Sequence, residues 1–234
     1  MKLSIIIPVH NEEKSIEKIL EKVFSVDFSC GKEVIIIDDG SSDNTPKILL
    51  ELNKKYDFKL LNHKNNLGKG TAIKTGLKII NSDLVIIQDA DLEYDPNDIP
   101  LLLNNMTNEI SAVYGKRGYK KWPKRCFYYV LGAKILTYMI NILYNENLTD
   151  VYTGYKLFNL NKIDINLLKN LKSTGFEFEA EITCKILTNK GKIKEVPITY
   201  IPRNKEEGKH IGLKDAFKGF IMIISCYLDK NKTR

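Results

Sequence analysis

The sequence predicts an α/β fold, a single domain built on a mixed, mainly parallel sheet flanked by helices, and three observations carry that expectation. Short apolar runs rich in β-branched residues recur across the first ninety residues, too short for helices and suited to buried strands. Stretches of helical periodicity separate them, the pattern of right-handed βαβ units. Polar clusters at 8–12, 38–43 and 89–93 each follow a run directly, so they gather at the carboxyl edge, where such sheets bind ligands.

Taken in order, residues 3–9 (Leu-Ser-Ile-Ile-Ile-Pro-Val) read as the first strand. Asn11 is placed to cap a helix in which Ile16, Ile19, Leu20, Val23 and Phe24 share a face. Residues 33–37 form the second strand, and a helix follows over 45–56 with Pro46 in its first turn. A short strand at 58–61 leads through Asn65-Asn66-Leu67-Gly68-Lys69-Gly70 into a helix near 70–80. The fourth strand is 84–88, and 111–117 reads as another.

The fourth strand ends in Asp89, Asp91 and Glu93. Side chains two apart point the same way along a strand, so these acids share one side if the strand geometry persists. Oxygen ligands at that density suit a hard divalent cation such as Mg²⁺ or Mn²⁺.

The second half differs. Residues 127–144 carry Lys134 as their only charge, a length close to a membrane span. Lys134, Thr137, Asn141 and several tyrosines oppose insertion, so the segment reads as an amphipathic helix in a membrane interface or, equally, as half of a core-packing pair. Residues 219–228 are apolar but too short to span, and a basic tail follows; the expected division is 1–218 and 219–234. Glu177, Glu179 and Glu181 open a helix containing Ile182 and Ile186.

Composition narrows the function. A hydrophobic fraction of 43% with 28% charged residues describes a globular chain. Four scattered cysteines without Cys-x-x-Cys spacing argue against zinc and fit a reducing cytosol, and the first residues show no cleavable signal. The net charge of +7 allows a nucleic acid, a membrane surface or an anionic substrate as partner. Lys116, Arg117, Lys120, Lys121, Lys124 and Arg125 crowd together just before the apolar segment, which favours a lipid interface over residues 120–144. The 29 acidic residues, many at the strand edge, argue against nucleic acid.

Several motifs in sequence resemble family 2 glycosyltransferases, in their dolichol-phosphate mannosyltransferase-like branch. They are Ile-Ile-Pro-Val-His-Asn-Glu (6–12), Ile-Asp-Asp-Gly-Ser-Ser-Asp-Asn-Thr (37–45), Asn-Leu-Gly-Lys-Gly (66–70) and Gln-Asp-Ala-Asp-Leu-Glu (88–93). Tyr-Gly-Lys-Arg (114–117), Asp-Val-Tyr-Thr-Gly-Tyr-Lys (150–156), Phe-Glu-Phe-Glu-Ala-Glu-Ile (176–182) and Val-Pro-Ile-Thr-Tyr-Ile-Pro-Arg (196–203) complete the set. The resemblance implies a GT-A fold, a nucleotide-diphosphate sugar donor (a GDP- or UDP-hexose) and a divalent cation. It implies that Pro8, His10, Glu12, Ile37 and Asp39 line the nucleotide pocket, with Lys69 near the diphosphate. Asp89, Ala90 and Asp91 would face ribose, diphosphate and metal, Asp91 being the direct ligand; Glu93 stands where relatives often carry glutamine. Arg117, Arg203 and Lys209 would hold the acceptor.

The expected reaction is inverting transfer of a hexose to a polyprenyl phosphate, peripheral on the cytosolic face of a membrane, with or without a membrane-protein partner. A phosphate monoester is already anionic near neutrality and needs cations rather than a strong base. Transfer to a sugar or lipid hydroxyl is the alternative, with Glu179 as its base.

Overall fold

The uninterrupted apolar character of the first strands follows from a sheet covered on both faces. In the computed structural model, which describes residues 1–118, 126–203 and 212–232, β1 (Lys2–Val9), β2 (Gly31–Asp38), β3 (Lys59–Asn62) and β4 (Leu84–Ile87) pair in parallel around β1. β5 (Ala112–Arg117), β6 (Lys156–Asn159) and β7 (Ile193–Ile198) complete a seven-stranded sheet of order β3-β2-β1-β4-β6-β5-β7. Only β6 runs antiparallel to its neighbours β4 and β5. β6 and β7 are absent from the sequence-based expectation because a leading lysine and the mixed run Ile-Lys-Glu-Val-Pro-Ile hide them.

α1 (Ile16–Ser25) and α2 (Thr45–Leu52) lie on one face, where Ile5, Ile7 and Ile36 meet Ile16, Leu20 and Leu49. α3 (Lys69–Leu77), α6 (Ile165–Lys169) and α7 (Phe178–Thr188) lie on the other, where Ile6, Ile35 and Ile37 meet Ile73, Leu168 and Ile182. Alternate residues of each strand thus serve opposite cores. The short α4 (Ile99–Asn104) packs on β5 and adds Ile99, Leu102 and Leu103 to the same core as α1. α5 (Phe127–Tyr144) and α8 (Leu213–Lys232) join α7 in a third cluster through Leu136, Ile140, Cys184 and Ile223. α8 passes residue 219 without a break, so the expected division at 218 falls within one helix.

Asn11 does not cap α1. It adopts a left-handed backbone (φ 54°), and its side-chain oxygen accepts from Ser42 N at 2.8 Å, stitching the loops after β1 and β2. The helix begins later, after Ser15, with the Glu12 carbonyl accepting from Ser15 and Ile16 N.

α5 and α8 leave apolar side chains in solvent. On α5 these are Phe127, Tyr128, Leu131, Ile135, Tyr138 and Ile142; on α8 they are Phe217, Phe220, Ile221 and Leu228. α5 is long and apolar enough to cross a membrane by length and composition, and only 22% of it is buried.

At the opposite edge of the sheet, Glu33 accepts from Ser4 Oγ at 2.6 Å, Lys2 Nζ at 2.9 Å and Asn81 N at 3.3 Å. Burial pushes this carboxyl up, but those hydrogen bonds and the Lys59 charge outweigh it and bring the pKa to about 2, against an ordinary 4.5. A depressed folded-state pKa gives stability that is complete above the unfolded value and is lost as pH falls through the folded one. Glu33→Gln is therefore expected to cost about 1–2 kcal/mol at pH 7. Urea denaturation from pH 7 to 2 should show this difference shrinking below about pH 4.5; a constant difference would refute the assignment.

Candidate active site

The sheet order reverses at β1, which lies between β2 and β4, and this switch point opens the crevice where α/β sheets place ligands. The chain leaving β1 delivers Glu12 there, and the chain leaving β4 delivers Asp91. Arg203 joins them, its Nη1 3.0 Å from Glu12 Oε1 and its Nη2 2.8 Å from Asp91 Oδ2. The strand geometry ends at Ile87, and the chain then turns at Leu92 (φ 62°) with Asp91 Oδ1 accepting from Glu93 N. The three acids are consequently dealt to different neighbours rather than aligned on one side. Glu93 accepts from Tyr200 OH at 2.7 Å and from Arg203 N at 2.6 Å, and so pins the chain that follows β7.

Asp91 remains electrostatically crowded. Burial raises its pKa to about 7, with the charges of Asp89 and Glu93 adding to the effect and Arg203 opposing it. On Arg203, burial is outweighed by Asp91, Glu12 and Glu93, which hold the guanidinium above its usual range.

Lys69, the first residue of α3, reaches both oxygens of Asp89 at 2.8 and 3.0 Å and Glu179 Oε1 at 3.3 Å. Burial alone would lower its pKa, but the two carboxylates reverse that and raise it. The other oxygen of Glu179 accepts from Lys156, whose side chain is wholly buried. Burial lowers the Lys156 pKa in spite of Glu179.

Asp39 faces inward. Its carboxylate accepts from His63 Nδ1 at 2.6 Å, Leu67 N at 3.0 Å and Gly68 N at 2.7 Å, fixing the loop that presents Lys69. The base or ribose expected at those oxygens would compete with three donors of the chain itself. His10 donates from Nδ1 to the Asp39 carbonyl at 3.0 Å. Pro8 is half-buried opposite Ile37 in the β1–β2 register, while the Ile37 side chain lies wholly in the core, leaving only its main chain for a pocket. Ala90 is buried, 3% exposed.

Arg117, at the end of β5, holds Asp150 through Nε and Nη2, both at 2.8 Å, and its guanidinium lies 5.2 Å from the Tyr200 ring centre. Arg117 and Arg203 thus flank the Tyr200–Glu93 contact. Lys209, Lys120, Lys121, Lys124 and Arg125 lie outside the described residues.

Sequence reading missed Asp150, Lys156 and His63. Asp150 and Lys156 lie within a quoted motif, whose two acid–base residues were the available signal. His63 gave none, since its pairing with Asp39 spans 24 residues.

Among the described residues, no three His, Cys, Asp or Glu side chains are arranged to hold an ion alone. The donor set nevertheless fits Mg²⁺ or Mn²⁺, which bind through one or two carboxylates together with substrate phosphates. Asp91 and Asp89 supply hard oxygens, and the raised Asp91 pKa marks negative charge that such a cation would relieve. All three carboxylates are engaged at both oxygens by the chain's own donors, Asp89 by Lys69, Asp91 by Glu93 N and Arg203, and Glu93 by Tyr200 OH and Arg203 N, so a cation at Asp91 or Asp89 would displace Arg203 or Lys69.

The profile of glycosyl transferase family 2 matches residues 4–164. A dolichol-phosphate mannosyltransferase from Pyrococcus furiosus is 30% identical over 216 residues, 89% of this chain and 59% of that protein, so the chain spans less than two thirds of that relative. A UDP-N-acetylglucosamine–dolichyl-phosphate N-acetylglucosaminyltransferase from Methanococcus voltae is 27% identical, covering 97% of this chain and 96% of that one. Glucosyl-3-phosphoglycerate synthase from Mycobacterium tuberculosis, crystallised with Mn²⁺, UDP and phosphoglyceric acid, matches with a TM-score of 0.71 at 19% identity, over 98% of this chain and 78% of that one. The architecture is the GT-A fold that the motifs imply.

Proposed function

Because the chain belongs to glycosyl transferase family 2, we propose that it transfers a hexose from a GDP- or UDP-sugar to a polyprenyl phosphate with inversion. The observation that carries this reading is the pair of arginines on either side of the Tyr200–Glu93 contact, Arg117 against the Tyr200 ring and Arg203 on Glu93 through its main chain and on Asp91 through its guanidinium. Guanidinium groups match phosphate geometry and hold charge at any physiological pH. The two relatives named for dolichyl-phosphate glycosylation support the same acceptor class.

Glu12, Asp89 and Asp91 border the donor side, and Lys69 stands at the start of α3, where helix termini favour anions. Mg²⁺ or Mn²⁺ held by Asp91 and Asp89 would neutralise leaving-group charge. Arg117, Arg203 and Lys209 place the acceptor phosphate, which attacks as an anion and requires no proton removal. Glu179 is badly placed as a base, since Lys69 and Lys156 hold its two oxygens. That arrangement favours the phosphate acceptor over a hydroxyl.

The test is transfer of labelled sugar from a panel of UDP- and GDP-sugars to undecaprenyl or dolichyl phosphate with Mn²⁺ present. Labelled lipid is the expected result. Donor hydrolysis without labelled lipid would redirect the acceptor to a sugar or lipid hydroxyl.

The exposed faces of α5 and α8 support a peripheral position on the cytosolic side of a membrane. α5 cannot both cross a bilayer and keep Leu136 and Ile140 packed against α7 and α8. It therefore lies in the interface, with residues 120–144 as the contact. Ile135→Glu together with Tyr138→Glu, at positions 52% and 66% exposed, is expected to weaken binding to anionic liposomes at least about tenfold. Equal flotation of variant and wild type with liposomes would remove the proposal.

A further inference from the structure

Lys156 opens β6 opposite Tyr114 and has no solvent exposure. Its Nζ donates to the Val151 carbonyl at 2.9 Å, to the Thr153 carbonyl and to Glu179. Stability alone gives little reason for such a group, since a buried ion pair is seldom better than well-packed apolar side chains. Its connections give another reason. Through two carbonyls it holds the loop at 150–155, and through Glu179 it reaches Lys69 and then Asp89.

That loop touches both halves of the site. Asp150 orients Arg117 at one end. At the other, Gly154 lies so close to Asp89 that a Cβ there would come 2.5 Å from Asp89 Oδ2. Gly154 N also donates to Tyr94 OH at 2.7 Å, and the Tyr94 ring meets Tyr155 and Tyr200 at 4.9 Å. The distance from Arg117 to Asp89 is therefore set by where the loop sits, and Lys156 is its internal anchor.

We propose that Lys156 is a positioning residue that fixes the spacing between the Arg117–Asp150 pair on the acceptor side and Asp89 on the donor side. The proposal rests on the acceptor reading given above. A displacement of about 1 Å between reacting groups costs on the order of a hundredfold in rate. Lys156→Met keeps the length and removes the charge. It is expected to lower kcat for transfer about 100-fold, with donor KM and donor hydrolysis by water changed less than about threefold. Parallel loss of transfer, hydrolysis and donor affinity would mark a merely structural residue and overturn the proposal.

A second readout needs no acceptor and so stands even if the acceptor reading fails. The Arg117 Nε–H resonance, assigned by its disappearance in Arg117→Lys, should shift or broaden in Lys156→Met as the Asp150 contact loosens. An unchanged resonance would overturn the proposal. Should Lys156→Met fail to fold, Lys156→Met with Glu179→Met removes the unpaired buried carboxylate; because Glu179 also holds Lys69 on the donor side, the Arg117 resonance alone then decides.

Discussion

Asp91→Asn should lower sugar transfer by about a thousandfold while leaving the protein no less stable than wild type. On the proposed function, the activity loss follows from removing a charge beside the leaving diphosphate and its cation, a position at which single groups are worth about 10²–10³ in rate. The stability expectation follows from the crowding already described, since burial, Asp89 and Glu93 all disfavour the Asp91 anion. Replacing the carboxylate with a neutral amide of the same shape relieves that repulsion, and Arg203 keeps Glu12 as its partner. Turnover with Mn²⁺ and the thermal midpoint, measured on one preparation, separate the two effects. Loss of activity accompanied by an equal loss of stability would make Asp91 a structural residue.

Gly68→Ala is the second large effect, expected to cost about 2–4 kcal/mol in stability. Gly68 sits at φ 92° and ψ 154°, a region open essentially to glycine. An added Cβ would fall 2.4 Å from the Thr174 carbonyl oxygen, which is main chain and held by Gly70 N at 2.8 Å. The Gly68 amide is itself fixed by Asp39, so neither side can give way. Because Lys69 follows immediately, donor affinity should fall with stability. Gly132→Ala, in α5 with nothing within 4 Å of the added carbon, is the matched control and should be neutral or slightly stabilising. Similar urea midpoints for the two variants would contradict the account.

What could be read from sequence divides along physical lines. β1, β2 and β4 were legible because both faces of each strand are covered, which forces a nearly pure apolar run. The acids at 89–93 were legible as a cluster because they follow such a run directly. Their common orientation was not, because Leu92 adopts a left-handed conformation that composition does not announce. β6 stayed hidden because Lys156 is a buried charge, and a lysine normally signals the surface. The partnership of Arg203 with Glu12 spans 191 residues, a separation at which one sequence carries no pairing information. Asn11 was assigned to the helix beside it and instead serves the neighbouring loop, as short polar side chains with local backbone partners often do.

The separation of Glu12 and Asp91 from Arg203 also sets an order of events during synthesis. The acids leave the ribosome first, and their guanidinium partner follows 112 residues after Asp91. Until then the four parallel strands can pair around β1 while the crevice above them holds concentrated negative charge. β7 must add to the sheet edge before Tyr200 and Arg203 reach Glu93 and Asp91. Completion of the sheet and neutralisation of the crevice are thus one late step, and a nascent chain halted before residue 193 carries the acids without their counter-charge.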